Sequence, residues 1–269
     1  MRAQAKKPGA PHTADYTTIP LFVPAHSFDP GCLTSLSLTD DEVHVWRAWL
    51  DELPQSKDVL STDELQRAAR FHFDKDRRHF IAGRAWLRTL LARYLNTDAA
   101  RLQFVYAARG KPALVDGSGG HLRFNLAHSH GLALVAMTKR REIGVDVECI
   151  SASVAGPEIA ERFFSAAEVI ALRSLPVEQQ QEAFFAGWTR KEAYIKAIGV
   201  GLFAALDRFT VSLTPGAPAA LLEVADDPRE AARWTMRELH PGDGYAAAVA
   251  VEGRDWRWCC FDWQPPSVT

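Results

Sequence analysis

Phe185-Ala-Gly-Trp-Thr-Arg-Lys-Glu-Ala-Tyr-Ile-Lys-Ala-Ile-Gly-Val-Gly-Leu202 carries its apolar residues at helical spacing. With Phe184 just before it, the stripe runs Phe184, Phe185, Trp188, Tyr194, Ile195, Ile198, the buried face of an amphipathic helix. Glu192 and Lys196, four apart, leave this helix on the side of Trp188. Gly199 and Gly201 predict a stop and a turn. A carboxylate and two lysines (Lys191 and Lys196) beside a buried aromatic suit metal and phosphate chemistry. Alone, the same spacing also describes an ion pair on a solvated helix face.

Working outward, the helix is one copy of a repeat. Phe184-Phe-Ala-Gly187 lies 104 residues after Phe80-Ile-Ala-Gly83. The capping-box pattern Ser165-Ala-Ala-Glu168 lies 104 residues after Ser61-Thr-Asp-Glu64. The spacing predicts a helix from Ser61 through Phe71 and a long one over Asp74–Leu95. A first strand is expected over Val43–Ala48, then strands near Leu102–Tyr106, Leu122–Leu126, Leu132–Thr138 and Ile143–Glu148. After the second long helix come strands near Phe209–Leu213, Leu221–Val224, Trp234–Leu239, Tyr245–Val251 and Trp256–Trp263. The fold class is therefore α/β (α+β), two similar halves related by a pseudo-twofold, with a ligand cleft expected at their junction. The boundaries are 1–35 for a Pro-rich, flexible N-terminal extension, 36–141 for the first half and 142–269 for the second.

Lys+Arg (31) nearly balance Asp+Glu (33), so no global basic excess points to nucleic acid. No apolar run is long enough to cross a bilayer, and no signal sequence opens the chain, which makes the cytoplasm the expected compartment. Cys32, Cys149, Cys259 and Cys260 show neither zinc-motif spacing nor a disulfide framework; Cys259 and Cys260 read as reduced strand residues.

In the strand Ile143-Gly-Val-Asp-Val-Glu148, Asp146 and Glu148 share a face, while Val145 and Val147 point into a core. Two adjacent carboxylates repel unless a cation or protons neutralise them. Oxygen ligands favour Mg²⁺ over Zn²⁺, and Glu192 can supply a third. Phe124-Asn-Leu-Ala-His-Ser129 ends a strand with His128 and follows Arg109-Gly-Lys-Pro112, where glycine permits close approach and Lys111 brings a charge suited to phosphate. The long helix from Asp74 carries Lys75, Arg77, Arg78, Arg84 and Arg88, mostly a solvated face. Together these residues suit a ligand with several phosphates and one Mg²⁺, the apparatus of phosphoryl-type transfer.

The segments Gly110-Lys-Pro112, Phe124–Ser129, Gly144-Val-Asp-Val-Glu148, Arg162-Phe-Phe-Ser165 and Trp188-Thr-Arg-Lys-Glu-Ala-Tyr-Ile-Lys196, in this order, resemble the 4′-phosphopantetheinyl transferases of the surfactin-synthetase type. Each is weak alone; five in order are specific, and the likeness runs from about Val43 to the C-terminus. The resemblance implies transfer of the phosphopantetheine arm of coenzyme A to a serine of an apo acyl or peptidyl carrier protein, releasing adenosine 3′,5′-bisphosphate. It implies Mg²⁺ on Asp146, Glu148 and Glu192, and a catalytic set of Glu192 (base), Lys196 (leaving phosphate) and Asp146. It places Lys111 and His128 on coenzyme A phosphates, Arg67 near the 3′-phosphate, Arg109, Gly110 and Asn125 along the nucleotide, and Lys191 with Lys196 among the coenzyme contacts. Phe163, Phe164 and the segment before the long helix are expected to dock the carrier protein. A monomer is expected, because two fused halves need no partner subunit. Ala127, His79 and Glu64 depart from the pattern, where serine, arginine and lysine are common. The alternatives are a coenzyme A or carrier-protein binding module with weak catalysis, and a Mg²⁺-dependent phosphohydrolase.

Overall fold

The structure is a computed structural model that describes residues 23–24, 36–106, 110–115, 121–151, 157–199 and 206–264. In chain order the strands are β1 (Val23–Pro24), β2 (Glu42–Trp49), β3 (Phe104–Tyr106), β4 (Pro112–Leu114), β5 (Leu122–Ser129), β6 (Leu132–Lys139), β7 (Ile143–Cys149), β8 (Phe209–Val211), β9 (Leu221–Val224), β10 (Trp234–Leu239), β11 (Tyr245–Glu252) and β12 (Arg257–Asp262). The α-helices are α1 (Thr62–Ala69), α2 (Asp74–Leu95), α3 (Pro157–Phe163), α4 (Ala166–Ser174) and α5 (Val177–Ile198).

The repeat is present in the topology. Each half opens with a strand, then a helix with a capping box, then a 22-residue helix, a small two-stranded ribbon and an antiparallel strand pair. The last strand of each pair inserts in the middle, giving the orders β2-β6-β5 and β7-β11-β10. Both capping boxes form: Ser61 N–H donates to Glu64 Oε2 at 3.0 Å and Ser165 N–H to Glu168 Oε2 at 2.7 Å.

Hydrophobic pattern explains the layering. Val43 and Val45 of β2 pack with Ile143, Val145 and Val147 of β7 and with β11, so the two sheets meet face to face. Trp46 and Ala48 point the other way, into a core with Trp86, Leu87, Leu90 and Leu91 of α2. Ala193, Tyr194, Ile195 and Ala197 of α5 cover the outer face of β10-β11. The order is thus α2, first sheet, second sheet, α5. A strand between two cores is apolar on both faces, which is why β2 lacks the alternation expected of it.

One element departs from the expected division. β12, in the half bounded at 142–269, pairs parallel with β2 of the first sheet and there carries β1 on its outer edge. The expected extension 1–35 otherwise lies outside the described residues, as do Arg109, Cys32, Gly201 and Leu202. Among the described residues no helix is long and apolar enough to cross a membrane.

Candidate active site

The site forms where β7 lies against α5. Alternation along β7 buries Val145 and Val147 between the sheets and turns Asp146 and Glu148 toward α5. The two elements touch backbone to backbone at Gly144. A Cβ there would stand 2.1 Å from Ala193 O and 2.4 Å from Ala197 N, so only glycine lets the strand approach this closely. Gly199, at φ +73°, then ends α5, in agreement with the sequence reading.

Asp146, Glu148, Glu192 and Lys196 come together. Lys196 Nζ donates to Asp146 Oδ1 at 2.5 Å. Ser129 Oγ donates to Glu148 Oε2 at 3.0 Å and accepts from Cys149 N–H at 3.1 Å. Asp146 is 3% exposed and Glu192 5%, and Asp146 Oδ2 and Glu192 Oε1 are buried with no hydrogen-bond partner. Burial, then the Asp146 and Glu148 charges, push Glu192 up to about 7. Burial and then Asp146 also raise Glu148. Burial works against the charge on Lys196, but the Asp146 carboxylate outweighs it and the lysine stays protonated. Three carboxylates around one ammonium leave two uncompensated negative charges, and two buried oxygens face no donor. That is a fit to one hard divalent ion.

Nearby, His128 lies at the end of β5; desolvation and then the Lys196 charge lower its pKa. Arg67 and Gly110 line one cleft of about 670 Å³ with Asp63, Gln66, Arg70, Phe71 and Tyr106. The Arg67 guanidinium lies over the Phe80 ring at 5.4 Å.

One expected ligand contact is corrected, and two other expected ligand residues are engaged within the protein in this structure. Lys191 is 0% exposed; its Nζ pairs with Glu168 at 2.7 Å and donates to Leu206 O and Phe209 O, so it is part of the core and cannot reach a bound coenzyme. Asn125 is buried, and its Oδ1 accepts from Val145 N–H at 2.9 Å, tying β5 to β7 across the seam between the sheets. Lys111 Nζ donates to Lys196 O at 2.7 Å, Ala197 O at 3.2 Å and Ile143 O at 3.2 Å, bracing the end of α5 to the start of β7. Phe164 is likewise buried, stacked on Phe184, and does not offer a docking surface. The residue missed was Ser129, which positions Glu148; it stood inside the His128 motif, and its hydroxyl beside a carboxylate-bearing strand was the available signal.

The model of the 4′-phosphopantetheinyl transferase superfamily matches residues 142–250, and that of the 4′-phosphopantetheinyl transferase N-terminal region matches residues 44–140. The chain belongs to the 4′-phosphopantetheinyl transferases. It is 44% identical to the 4′-phosphopantetheinyl transferase HetI of Nostoc sp. over 86% of this chain and 93% of that one. It is 32% identical to a putative 4′-phosphopantetheinyl transferase of Synechocystis sp. over 77% and 82% of the two chains. It is 30% identical to the 4′-phosphopantetheinyl transferase Sfp of Bacillus subtilis over 57% of this chain and 66% of Sfp. As a phosphopantetheinyl transferase of the surfactin-synthetase type it is an enzyme of holo-carrier-protein synthesis with coenzyme A as substrate.

Proposed function

We propose that this transferase moves the 4′-phosphopantetheine arm of coenzyme A to a serine of an apo acyl or peptidyl carrier protein, with Mg²⁺, and releases adenosine 3′,5′-bisphosphate. The observation that carries the metal reading is the pair of buried, unpartnered oxygens on Asp146 and Glu192 in a cluster two positive charges short. Asp146, Glu148 and Glu192 would hold the ion, which supplies charge neutralisation at the pyrophosphate.

The serine oxygen bonds to the β-phosphorus while the bond from that phosphorus to the bridging oxygen breaks. A serine hydroxyl needs a base. Glu192, a carboxylate at the heart of the cluster, takes that proton, directly or through water. Lys196 keeps its proton and meets the charge that develops on the leaving phosphate. His128 donates a hydrogen bond to a coenzyme phosphate, and the cleft at Arg67 and Gly110 takes the nucleotide end. A binding module without catalysis has no use for a cluster of three carboxylates beside a lysine.

Residues 36–141 supply the nucleotide contacts and 142–269 the metal ligands. The carrier protein docks on the apolar rim before α5, where Ile170 is 70% and Val177 81% exposed. The enzyme acts as a monomer in the cytoplasm, because both halves of the cleft come from one chain.

Intact-mass spectrometry of a panel of apo carrier proteins, with coenzyme A and Mg²⁺, tests the reading. The expected result is a gain of one phosphopantetheine arm that a chelator abolishes. Asp146→Asn should lower the rate at least about 10³-fold. Transfer that survives chelation overturns the metal assignment, and no transfer to any carrier overturns the function.

A further inference from the structure

The 104-residue offset that relates the capping boxes and long helices also carries Asp146 onto Glu42 and Glu148 onto His44. Glu42 and His44 stand two apart on β2, the strand that opens the first half, and so share a face. β12 adds a third group: Cys259 is the residue paired with His44 across the β2–β12 ladder. The ligand atoms of Glu42, His44 and Cys259 all lie within 4.8 Å of one another. His44 Nε2 is 3.6 Å from Glu42 Oε2. Nitrogen and oxygen on one tetrahedral zinc, each about 2.0–2.1 Å from it, stand about 3.4 Å apart, so little movement is needed.

We propose that Glu42, His44 and Cys259 form a second metal site, for a borderline divalent ion of the zinc class, that clasps the last strand of the chain to the first strand of the first half. The donor set decides the ion. Thiolate, imidazole and carboxylate select zinc, whereas the oxygen-only cluster around Asp146 suits magnesium. Outer contacts hold the ligands in place. Tyr94 Oη lies 2.6 Å from His44 Nδ1 and turns Nε2 toward Glu42, and Thr39 N–H donates to Glu42 Oε2 at 2.7 Å. Without an ion the positive charge comes from Arg257, 2.7 Å from Glu42 Oε1 on a largely exposed side chain that can swing away. Cys259 binds as thiolate and gives its proton to solvent.

The site lies apart from the transferase centre. His128 and Ser129 pair with Ala133 and Leu132, which pair with Ala48 and Trp49; Glu42 is at the other end of β2. A clasp there acts on β12, which among the described residues crosses between halves.

The test uses the full chain stripped of metal and held in excess Mg²⁺, titrated with Co²⁺ and separately with Zn²⁺. One equivalent of Co²⁺ should give a near-ultraviolet thiolate charge-transfer band. Cys259→Ala should abolish the band, while Cys149→Ala and Asp146→Ala keep it. Zn²⁺ at a hundredfold excess over its Kd should raise Tm by about 5 °C in the unaltered chain and not in Cys259→Ala. His44→Gln should weaken Zn²⁺ binding at least tenfold; if that variant does not fold, the Cys259→Ala comparison decides alone. A missing band, a band that persists in Cys259→Ala, or one lost in Cys149→Ala instead overturns the proposal.

Discussion

The two long helices make the same frame and leave opposite electrostatics on it. In the first half, Glu64 of the capping box is buried with Arg88 of α2 at 2.6 Å and Arg84 at 3.4 Å, and Arg88 also donates to Leu102 O. In the second, Glu168 of the capping box is buried with Lys191 of α5, which donates to Leu206 O. Leu206 is Leu102 moved on by 104 residues. Each half thus fixes its short helix, long helix and following loop with one buried carboxylate, held by two buried cations in the first half and one in the second. The difference lies at the position of Arg88, where the second half has Glu192. The first half is thereby closed, with two arginines on one glutamate. The second shifts its structural cation by one residue to Lys191, which frees position 192 for a carboxylate aimed at Asp146 and Glu148. The two copies of the frame differ in where one charge leaves the long helix.

If that comparison is right, Arg88→Met and Lys191→Met should destabilise the protein alike. Each removes the nearest cation from a buried glutamate, which costs up to about 3–5 kcal/mol, with Arg84 still 3.4 Å from Glu64 in the first case. Urea unfolding of both variants checks this. A Lys191→Met protein of normal stability with weakened coenzyme A binding would break the parallel and return Lys191 to the ligand set.

The frame was largely legible in sequence because its signals are local. Capping boxes, a stripe of period 3.6 and a terminal glycine fix α2 at Asp74–Leu95 and the end of α5 without knowledge of the rest of the chain. The DxE strand and its division into core and site faces followed from alternation alone. What stayed hidden depends on long-range placement. Nothing near Arg257–Asp262 says that this strand leaves its own half to pair with β2. Asn125 and Lys111 have side chains suited to ligands, and only the tertiary fold turns them onto backbone groups instead. Lys191 carried a signal that was passed over: adjacent helical residues are about 100° apart, so it cannot share the face of Glu192 and Lys196.

The excess charge of the second half gives a smaller, pH-dependent effect. The folded-state pKa of Glu192, near 7, lies above its ordinary value of 4.5. Between those values the folded chain binds a proton that the unfolded chain has released, so metal-free stability falls as pH rises through this window. For one group the fall is up to about 3 kcal/mol. Thermal or urea unfolding from pH 4.5 to 8 in chelator should show it, Glu192→Gln should shrink it, and Mg²⁺ should stabilise more at pH 8 than at pH 6. A slope unchanged in Glu192→Gln would place the uncompensated charge elsewhere.

The smallest effect separates a brace from a ligand contact. Lys111 comes from the first half yet donates to carbonyls of β7 and α5, the two elements that carry Asp146 and Glu192, and lies 3.7 Å from the Glu142 carboxylate just before β7. Its counterpart duty has no parallel around α2, where Arg88 and Glu64 close the frame internally. Lys111→Met keeps much of the apolar stem and removes the three donated hydrogen bonds. The end of α5 should then loosen against Gly144, and Lys196 and Glu192 should lose their register on Asp146. Turnover should fall about tenfold, equivalent to about 1.4 kcal/mol. Coenzyme A affinity measured by calorimetry should stay within about twofold, because the ammonium is spent on carbonyls and not on phosphate. The reverse result, affinity lost and turnover kept, would mean that Lys111 leaves these carbonyls for a coenzyme phosphate when substrate arrives. The first half would then contribute a charge directly to the site, and not only the strut that holds the second half in place.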